Sequence, residues 1–252
     1  MKISVCGKGG SGKSTLVALL ANEAQCRGFT VLVVDSDESN SGLYRMLGFA
    51  HPPTPLMELL GGKGGLRRKM GEPSVMSETQ IPLERIPPRH MVKRGRTMLV
   101  SIGKILQSLE GCACPMGVLS REFLSKVHLK GREIAIVDME AGVEHFGRGI
   151  ETSIDSVLLT VEPSFESISL AERVKGLAST IEKNVWAVLN KIPSESLASK
   201  LKAELKNRHI EVIGVIPTDS EIFEACLEGR ALGRGEAADR AGRILDFLLN
   251  TR

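Results

Sequence analysis

The residues from Gly7 to Ser14 have the types and the spacing needed to hold a chain of phosphates. They fit the pattern G-x-x-x-x-G-K-[ST] and lie between a β-branched run and a helical pattern, which is the context that such a loop requires. The glycines let backbone N–H groups point at the β-phosphate, and the next helix adds its positive dipole end. Lys13 can bridge β- and γ-phosphate oxygens, and the Ser14 hydroxyl can bind Mg²⁺. The predicted nucleotide-binding residues of this loop are Gly7, Lys8, Gly9, Gly10, Ser11, Gly12, Lys13, Ser14 and Thr15.

Carboxylates follow two further predicted strands. Asp138 follows the run from Glu133 to Val137, and Asp35 and Asp37 follow a second run. Because parallel strands end at one edge of a sheet, these carboxylates are expected near the phosphates. Asp138 is predicted to hold Mg²⁺ through water, Asp35 to support the metal shell, and Asp37 to orient or deprotonate the attacking water. A helix cap or a turn is the alternative role for Asp138 and Asp37.

The loop from Lys8 to Ser14 resembles the deviant Walker A motif of the MinD/ParA and nitrogenase-iron-protein class of P-loop ATPases. In that class the extra lysine, here Lys8, reaches across a dimer to the nucleotide of the partner. The resemblance covers the chain apart from an insertion described below. It implies an ATP-hydrolysing homodimer with the catalytic residues Lys8, Lys13 and Asp37.

Two later strand ends resemble the adenine site of the same class. Asn190 follows one predicted strand, and Pro217 and Asp219 follow the next. The resemblance implies that Asn190 and Asp219 bond the edge of the base while Pro217 packs on its face. The same residue types are also common in turns. The expected cofactors are ATP or ADP with Mg²⁺.

Short apolar runs alternate with helical patterns along the chain, which predicts right-handed βαβ units. The fold class is therefore α/β, with a doubly wound, mostly parallel sheet flanked by helices in one domain over residues 1–252. The predicted strands are Ile3 to Cys6, Thr30 to Val34, Glu133 to Val137, Ser156 to Val161, Val185 to Leu189 and Val212 to Ile216. The predicted helices between them include Lys13 to Arg27, Glu166 to Ile181 and Glu195 to Asn207.

The region from about 50 to 118 interrupts this rhythm and is predicted to be an insertion. It is rich in proline and glycine, and a strand from Thr97 to Ile102 is expected to anchor it to the sheet. From Lys63 to Lys104 it has ten Lys or Arg against three Glu, an excess of seven, whereas the whole chain has a net charge of +3. A solvated loop and a surface for an acidic partner both fit this charge.

Cys112 and Cys114 stand one residue apart in a predicted loop before the helix from Val118 to Val127. One chain supplies two soft ligands, whereas thiolate metal sites usually need four, so a two-fold axis could complete the set. This predicts one metal ion per dimer, Zn²⁺ or Ni²⁺, and Cu⁺ is a further ion that such thiolates can hold. Redox chemistry and ordinary loop cysteines are the alternatives.

The sequence from Asp138 to Gly149, the Cys-x-Cys-Pro loop and the stretch from Val100 to Ile105 resemble the CooC-type ATPases that mature nickel-containing carbon monoxide dehydrogenase. The resemblance implies that Cys112 and Cys114 bind metal at the dimer interface and that the client is this metalloenzyme. Members of that family commonly have glycine where this chain has Glu140. His145, next to Glu144, is open to a role in nucleotide sensing or to an ordinary structural one.

Two other functions compete with this interpretation. A MinD/ParA-like positioning ATPase would need a basic amphipathic tail or a DNA-binding patch. The tail from Ala237 to Arg252 is predicted to dock on the core. An iron–sulfur electron-transfer ATPase would take its cysteines from well-separated loops, unlike Cys112 and Cys114.

Composition gives no case for nucleic-acid binding, since the net charge is small and aromatic residues make up 4%. No run approaches about 18 apolar residues, and the N-terminus lacks a secretory pattern, so a cytoplasmic protein without stable membrane insertion is expected. Five cysteines suit reduced thiols.

Overall fold

The central feature of the computed structural model is an eight-stranded sheet with the order β10-β9-β8-β1-β7-β2-β5-β4. The structure describes residues 1–37, 42–60, 78–103 and 114–251, with the backbone alone at 60, 114 and 115. Every neighbouring pair in the sheet is parallel except the antiparallel pair β4 and β5. Its strands are β1 (Lys2–Gly7), β2 (Thr30–Asp35), β4 (Val92–Arg94), β5 (Thr97–Ser101), β7 (Glu133–Asp138), β8 (Ser156–Val161), β9 (Asn184–Ile192) and β10 (Glu211–Pro217).

Helices cover both faces of this sheet, which confirms the predicted doubly wound α/β fold. Strands such as β7 bury successive residues on opposite faces, so each face needs its own apolar cover. One buried cluster surrounds Phe123 and Leu119, and the other surrounds Leu16 and Leu20. The α-helices among the described residues are α1 (Lys13–Cys26), α2 (Leu43–Met46), α3 (Cys114–Lys126), α4 (Glu144–Gly147), α5 (Phe165–Ser179), α6 (Glu195–Asn207), α7 (Ser220–Glu228) and α8 (Glu236–Asn250).

The register of the central strands brings their carboxyl ends together. Val5 of β1 lies beside Asp138 of β7, and Asp138 lies beside Asp35 of β2. On the other side of β1, Gly7 lies beside Thr160 of β8. The loop that follows β1 is therefore flanked by the ends of three further strands.

The region between β2 and β7 contains more regular structure than the sequence predicted. Strand β5 pairs with β2 as expected, and the short strand β4 pairs with β5. A second, two-stranded sheet joins β3 (Ile81–Pro82) to β6 (Val127–His128). Strands this short carry too few residues to show a period of two, so the sequence gives no signal for them.

Helix α3 begins at Cys114 and ends at Lys126, whereas the predicted helix ran from Val118 to Val127. Cys114 is thus the first residue of the helix rather than part of the preceding loop. The missed signal is Pro115 at the second helical position, because proline is favoured in the first turn, where its absent N–H costs no hydrogen bond. Val127, which was predicted to end the helix, is instead the first residue of strand β6.

The C-terminal helix α8 packs on the core, as the sequence predicted for the tail. Ile244, Leu245 and Leu248 are buried in the same cluster as helix α1. None of the described helices is long and apolar enough to cross a membrane.

Candidate functional site

The phosphate loop joins β1 to α1 and is held from below by strand β8. Ser11 is fully buried, and its hydroxyl shares a hydrogen bond of 2.6 Å with the Thr160 hydroxyl. Thr160 also donates to the Cys6 carbonyl at 3.1 Å. Nothing in the spacing of Ser11 and Thr160 predicts this contact, since 149 residues separate them.

The end of strand β9 supports the same loop from the side. The Asn190 amide donates to the Ser11 carbonyl at 2.8 Å, and the Lys191 ammonium donates to the Gly10 carbonyl at 2.5 Å. Gly12 has a φ of +90°, and a Cβ at this position would overlap the Asn190 amide. Asn190 therefore helps to fix the shape of the loop. Its contact with the edge of the base remains a prediction.

A cavity of about 590 Å³ opens above the loop. Its volume is in the range of sites for small molecules and cofactors. It brings the predicted phosphate and adenine residues into one space, lined by Gly9, Gly10, Gly12, Lys13, Ser14, Thr15, Asp37, Asn190, Pro217 and Asp219. Asp219 also caps helix α7, because its carboxylate accepts from the backbone N–H groups of Glu221 and Ile222 at 2.9 and 3.2 Å.

The predicted magnesium ligands meet at the ends of β2 and β7. Ser14 donates to the Asp138 carboxylate at 2.6 Å, and the side chains of Asp35, Asp37 and Asp138 are all buried. Burial and, second, the charge of Asp35 raise the pKa of Asp138 to about 7. A cation near these carboxylates would relieve their repulsion, so the donor set fits Mg²⁺.

The same donors explain how Mg²⁺ would be shared with a nucleotide. Among the described residues no three His, Cys, Asp or Glu side chains form a group that could hold a metal. Mg²⁺ usually takes only one or two protein ligands and completes its shell with phosphate oxygens and waters. Ser14 and Asp138 are the residues that would hold it.

The raised pKa of Asp138 makes the binding of Mg²⁺–ADP dependent on pH. Below about pH 7 the Asp138 carboxyl is protonated and must lose its proton to solvent before it can bind the cation. The affinity for Mg²⁺–ADP should therefore rise by up to about tenfold per pH unit until about pH 7 and then level off. Calorimetric titration from pH 5.5 to 8.5 measures this slope.

The matched control is Asp138→Asn, which keeps the shape but cannot titrate. In this variant, the only pH dependence left in the affinity for Mg²⁺–ADP should be that caused by titration of the nucleotide phosphate. Equal slopes in the two proteins would mean that Asp138 does not bind Mg²⁺.

Lys8 lies outside the cavity lining and bonds within its own chain. Its ammonium donates to the Glu162 carboxylate, just past β8, at 3.0 Å, and Lys191 lies 3.9 Å from the other oxygen of that carboxylate. The side chain of Lys8 is 38% exposed. Glu162 is a functional candidate that the sequence analysis missed, because it belongs to none of the recognised patterns.

The segment after β7 is held by two side-chain contacts. Arg148 pairs with Glu140, and His145 pairs with Glu151 in a fully buried contact. His145 also donates through Nε2 to the Gly142 carbonyl at 3.2 Å. His145 is therefore a structural residue of this segment.

The cysteine pair falls at the limit of the described chain. Cys112 lies outside the described residues, and Cys114 is described only as the first backbone position of α3. The described cysteines are free: Cys6 is buried, which raises the pKa of its thiol, and Cys26 and Cys226 are exposed.

Comparison with known proteins places this site in a family. The family model described as the CobQ/CobB/MinD/ParA nucleotide binding domain matches residues 3–232. The chain belongs to this family. It is 42% identical over 237 residues to an uncharacterized ATP-binding protein of Methanocaldococcus jannaschii. The alignment covers 92% of this chain and 94% of the relative.

A second relative carries a functional name. The carbon monoxide dehydrogenase accessory protein CooC of Rhodospirillum rubrum is 30% identical over 247 residues, covering 96% of this chain and 88% of CooC. The cell division ATPase MinD of Pyrococcus furiosus has the same fold, with a TM-score of 0.72 at 20% identity, covering 100% of this chain and 99% of that chain. These matches confirm the resemblance to CooC within the MinD/ParA class. They also show that this member of the family is an ATPase.

Proposed function

We propose that this ATPase dimerises and couples ATP binding and hydrolysis to the insertion of a metal, nickel, into a metalloenzyme such as carbon monoxide dehydrogenase. The observation that carries the proposal is the relationship to CooC over 96% of the chain. The Cys112 and Cys114 pair supports it, because two such pairs supply the four thiolates of a closed metal site.

The nucleotide cycle follows from the residues around the cavity. Lys13 is positioned to neutralise charge on the β- and γ-phosphates, since it is buried beside the phosphate loop. Mg²⁺, held by Ser14 and Asp138, would neutralise charge on the transferring phosphoryl group. Asp37 lines the cavity and orients or deprotonates the attacking water, while Asp35 supports the metal shell.

Dimerisation requires that Lys8 change its partner. In the single chain Lys8 is paired with Glu162 at 3.0 Å. To reach the nucleotide of a second subunit it must leave this carboxylate. The pair is partly exposed, so breaking it costs little compared with a buried ion pair.

The substitution Lys8→Ala should leave nucleotide binding by the monomer unchanged and slow ATP turnover by about tenfold or more. The reason is that Lys8 is not among the described residues that line the cavity of its own chain, and its ammonium is paired with Glu162. Steady-state phosphate release and ADP titration measure the two quantities separately.

A mixing experiment decides whether Lys8 acts on the partner. In a heterodimer of the Lys8→Ala and Lys13→Met variants, the intact Lys8 of one chain faces the intact Lys13 site of the other. Mixing the two variants should raise turnover above the sum of their separate activities. A mixture that stays at that sum, although the two proteins associate, would mean that Lys8 acts within its own chain.

Anaerobic purification followed by metal titration tests the proposed function as a whole. We expect a colourless protein that binds about one Ni²⁺ or Zn²⁺ per dimer. A brown protein would instead indicate an iron–sulfur cluster. A protein that binds no metal but associates with liposomes or DNA when ATP is present would indicate a positioning ATPase.

A further inference from the structure

Four exposed basic side chains lie at the edge of the sheet where the parallel strands β2, β5 and β7 begin, opposite the nucleotide cavity. They are Lys93, Arg94, Arg96 and Arg132, which we name the amino-edge patch. The hairpin that joins β4 to β5 carries the first three, and Arg132 stands just before β7. The described lining of the nucleotide cavity includes none of the four, so the ATP cycle does not account for them.

The start of β2 holds two of these residues on its opposite sides. The Thr30 backbone N–H donates to the Arg132 carbonyl at 2.9 Å, and the Val31 N–H donates to the Arg96 carbonyl at 2.8 Å. Neighbouring strands of a sheet are about 4.8 Å apart, so the two arginine backbones are separated by about 10 Å. Both side chains reach the same turn, which joins α1 to β2.

The end of helix α1 fixes the direction of both guanidinium groups. Arg132 donates to the Arg27 carbonyl at 2.5 Å, and Arg96 donates to the Gly28 carbonyl at 2.7 Å. Arg132 also lies over the Phe29 ring, 4.6 Å from its centre. The last carbonyls of a helix carry partial negative charge, so these contacts stabilise α1. A guanidinium has five N–H donors, and only one donor of each group is bonded to a described residue.

The hairpin between β4 and β5 is also held in place. The Arg94 guanidinium donates to the Gly48 carbonyl at 3.1 Å. Gly95 has a φ of +59°, which allows the tight turn between Arg94 and Arg96. Side chains that are already fixed lose little conformational freedom when a ligand binds. The patch is therefore preorganised for an anion.

The positive charge of the patch is not neutralised by any carboxylate in the part of the chain that the structure describes. Arg27, by contrast, pairs with Asp246 at 2.6 Å. The Glu133 carboxylate, next to Arg132 in the sequence, accepts instead from the Lys130 backbone N–H at 2.8 Å. The whole chain has a net charge of only +3, so this edge concentrates positive charge.

We infer that the amino-edge patch binds a carboxylate-rich segment of a protein partner. A guanidinium can hold a carboxylate through two parallel hydrogen bonds, which favours arginine over lysine at such a surface. The large apolar side chains that are exposed in the described chain all lie outside the segments that carry the patch: Val118, Phe165, Leu177, Phe223 and Leu227. The patch thus has neither an exposed aromatic platform for nucleic-acid bases nor an apolar anchor for a membrane.

A partner bound at this edge leaves the nucleotide cavity open. Strand β2 has six residues, with Thr30 at the patch and Asp35 at the magnesium site. At about 3.3 Å per residue its two ends are about 17 Å apart. The partner can therefore stay bound while ATP enters and ADP leaves. The inference goes beyond the function proposed above and does not depend on it, because neither metal nor nucleotide takes part in this contact.

The anisotropy of a fluorescently labelled deca-glutamate peptide, titrated with the full-length protein, measures this binding. In the variant Arg96→Gln/Arg132→Gln the affinity should fall at least about tenfold, because two charge-assisted contacts are lost. The glutamine amides can still donate to the carbonyls at the end of α1. The matched control is Lys202→Gln/Lys206→Gln, which removes two exposed charges from α6 and should change the affinity less than about twofold.

Mg²⁺–ADP titration shows whether each variant is folded. The nucleotide affinity should stay within about twofold of the unmodified protein, because the substituted residues are remote from the cavity. Lys93→Gln serves where the double arginine variant disturbs α1, since the Lys93 side chain makes no hydrogen bond with a described residue. This single substitution should weaken peptide binding about threefold.

Each other outcome overturns the inference. A peptide that does not bind, or that binds the arginine variant as tightly as the unmodified protein, shows that the patch is not a carboxylate site. Equal losses in the arginine and lysine variants would reflect total charge alone. The remaining probes are a ten-nucleotide DNA strand and vesicles of phosphatidylglycerol and phosphatidylcholine in equal parts. If either binds through Arg96 and Arg132 more tightly than the peptide, the patch serves nucleic acid or a membrane instead. None of these results bears on metal binding, so the proposed function is tested separately.

Discussion

Replacing Lys13 with methionine should lower ATP turnover by about 10²- to 10³-fold. Lys13 is only 6% exposed and lines the same cavity as Gly12, Ser14 and Asp37. Methionine is close to lysine in length and carries no charge, so the transferring phosphate would lose a cation that is almost buried in the folded chain. The effect should exceed that of Lys8→Ala, because Lys13 also contributes to binding in the monomer.

Phosphate release at saturating Mg²⁺–ATP, together with calorimetric ADP titration, separates turnover from affinity. Lys200→Met is the matched control, since Lys200 is exposed on α6. If the Lys13 variant turned over ATP as fast as the Lys200 control, the phosphates could not bind at this loop.

Replacing either Cys112 or Cys114 with serine should reduce the affinity for Ni²⁺ or Zn²⁺ by more than about 100-fold. A hydroxyl is a poor ligand for these metals, and a site shared by two chains loses two of its four thiolates with each single substitution. Metal-linked dimerisation should be lost as well. ADP binding by the monomer should be unchanged, because the described residues that line the cavity include the phosphate loop, Asp37, Asn190 and Pro217, all far from the cysteine pair in the sequence.

Metal analysis after dialysis and gel filtration with added Zn²⁺ measure both losses. Cys26→Ser is the matched control, because Cys26 is exposed and free at the end of α1. A serine variant that elutes as an unchanged, metal-loaded dimer would rule out the shared site.

The parts of the fold that the sequence predicted are those with strong local patterns. The six predicted strands and the anchoring strand β5 are present, and their ends lie within three residues of the predicted ones. The phosphate loop was predictable because its pattern stands between a strand and a helix. Asp138 was predictable because strand ends share one edge in a parallel sheet.

The contacts that the sequence did not predict join residues far apart in the chain. Lys8 and Glu162 are separated by 154 positions, and Asn190 reaches Ser11 across 179. Neither partner carries a local signature of the other, so only the strand order brings them together. Arg148 and Glu140 are closer in sequence, but the side chain of Arg148 also packs against Gly117 of helix α3, which no spacing rule connects to them.

The strand order also determines which segments of this protein can change in length without moving the nucleotide site. The chain leaves the sheet at β2 and returns through β5 and then β7, both of which pair with β2 itself. The pairing of β2 with β7, which sets Asp35 beside Asp138, therefore does not depend on the length of the segments between them. Closing a longer loop adds free energy only logarithmically with its length. Insertions or deletions in the segments between β2 and β7 should therefore leave Asp35 and Asp138 side by side at the nucleotide site.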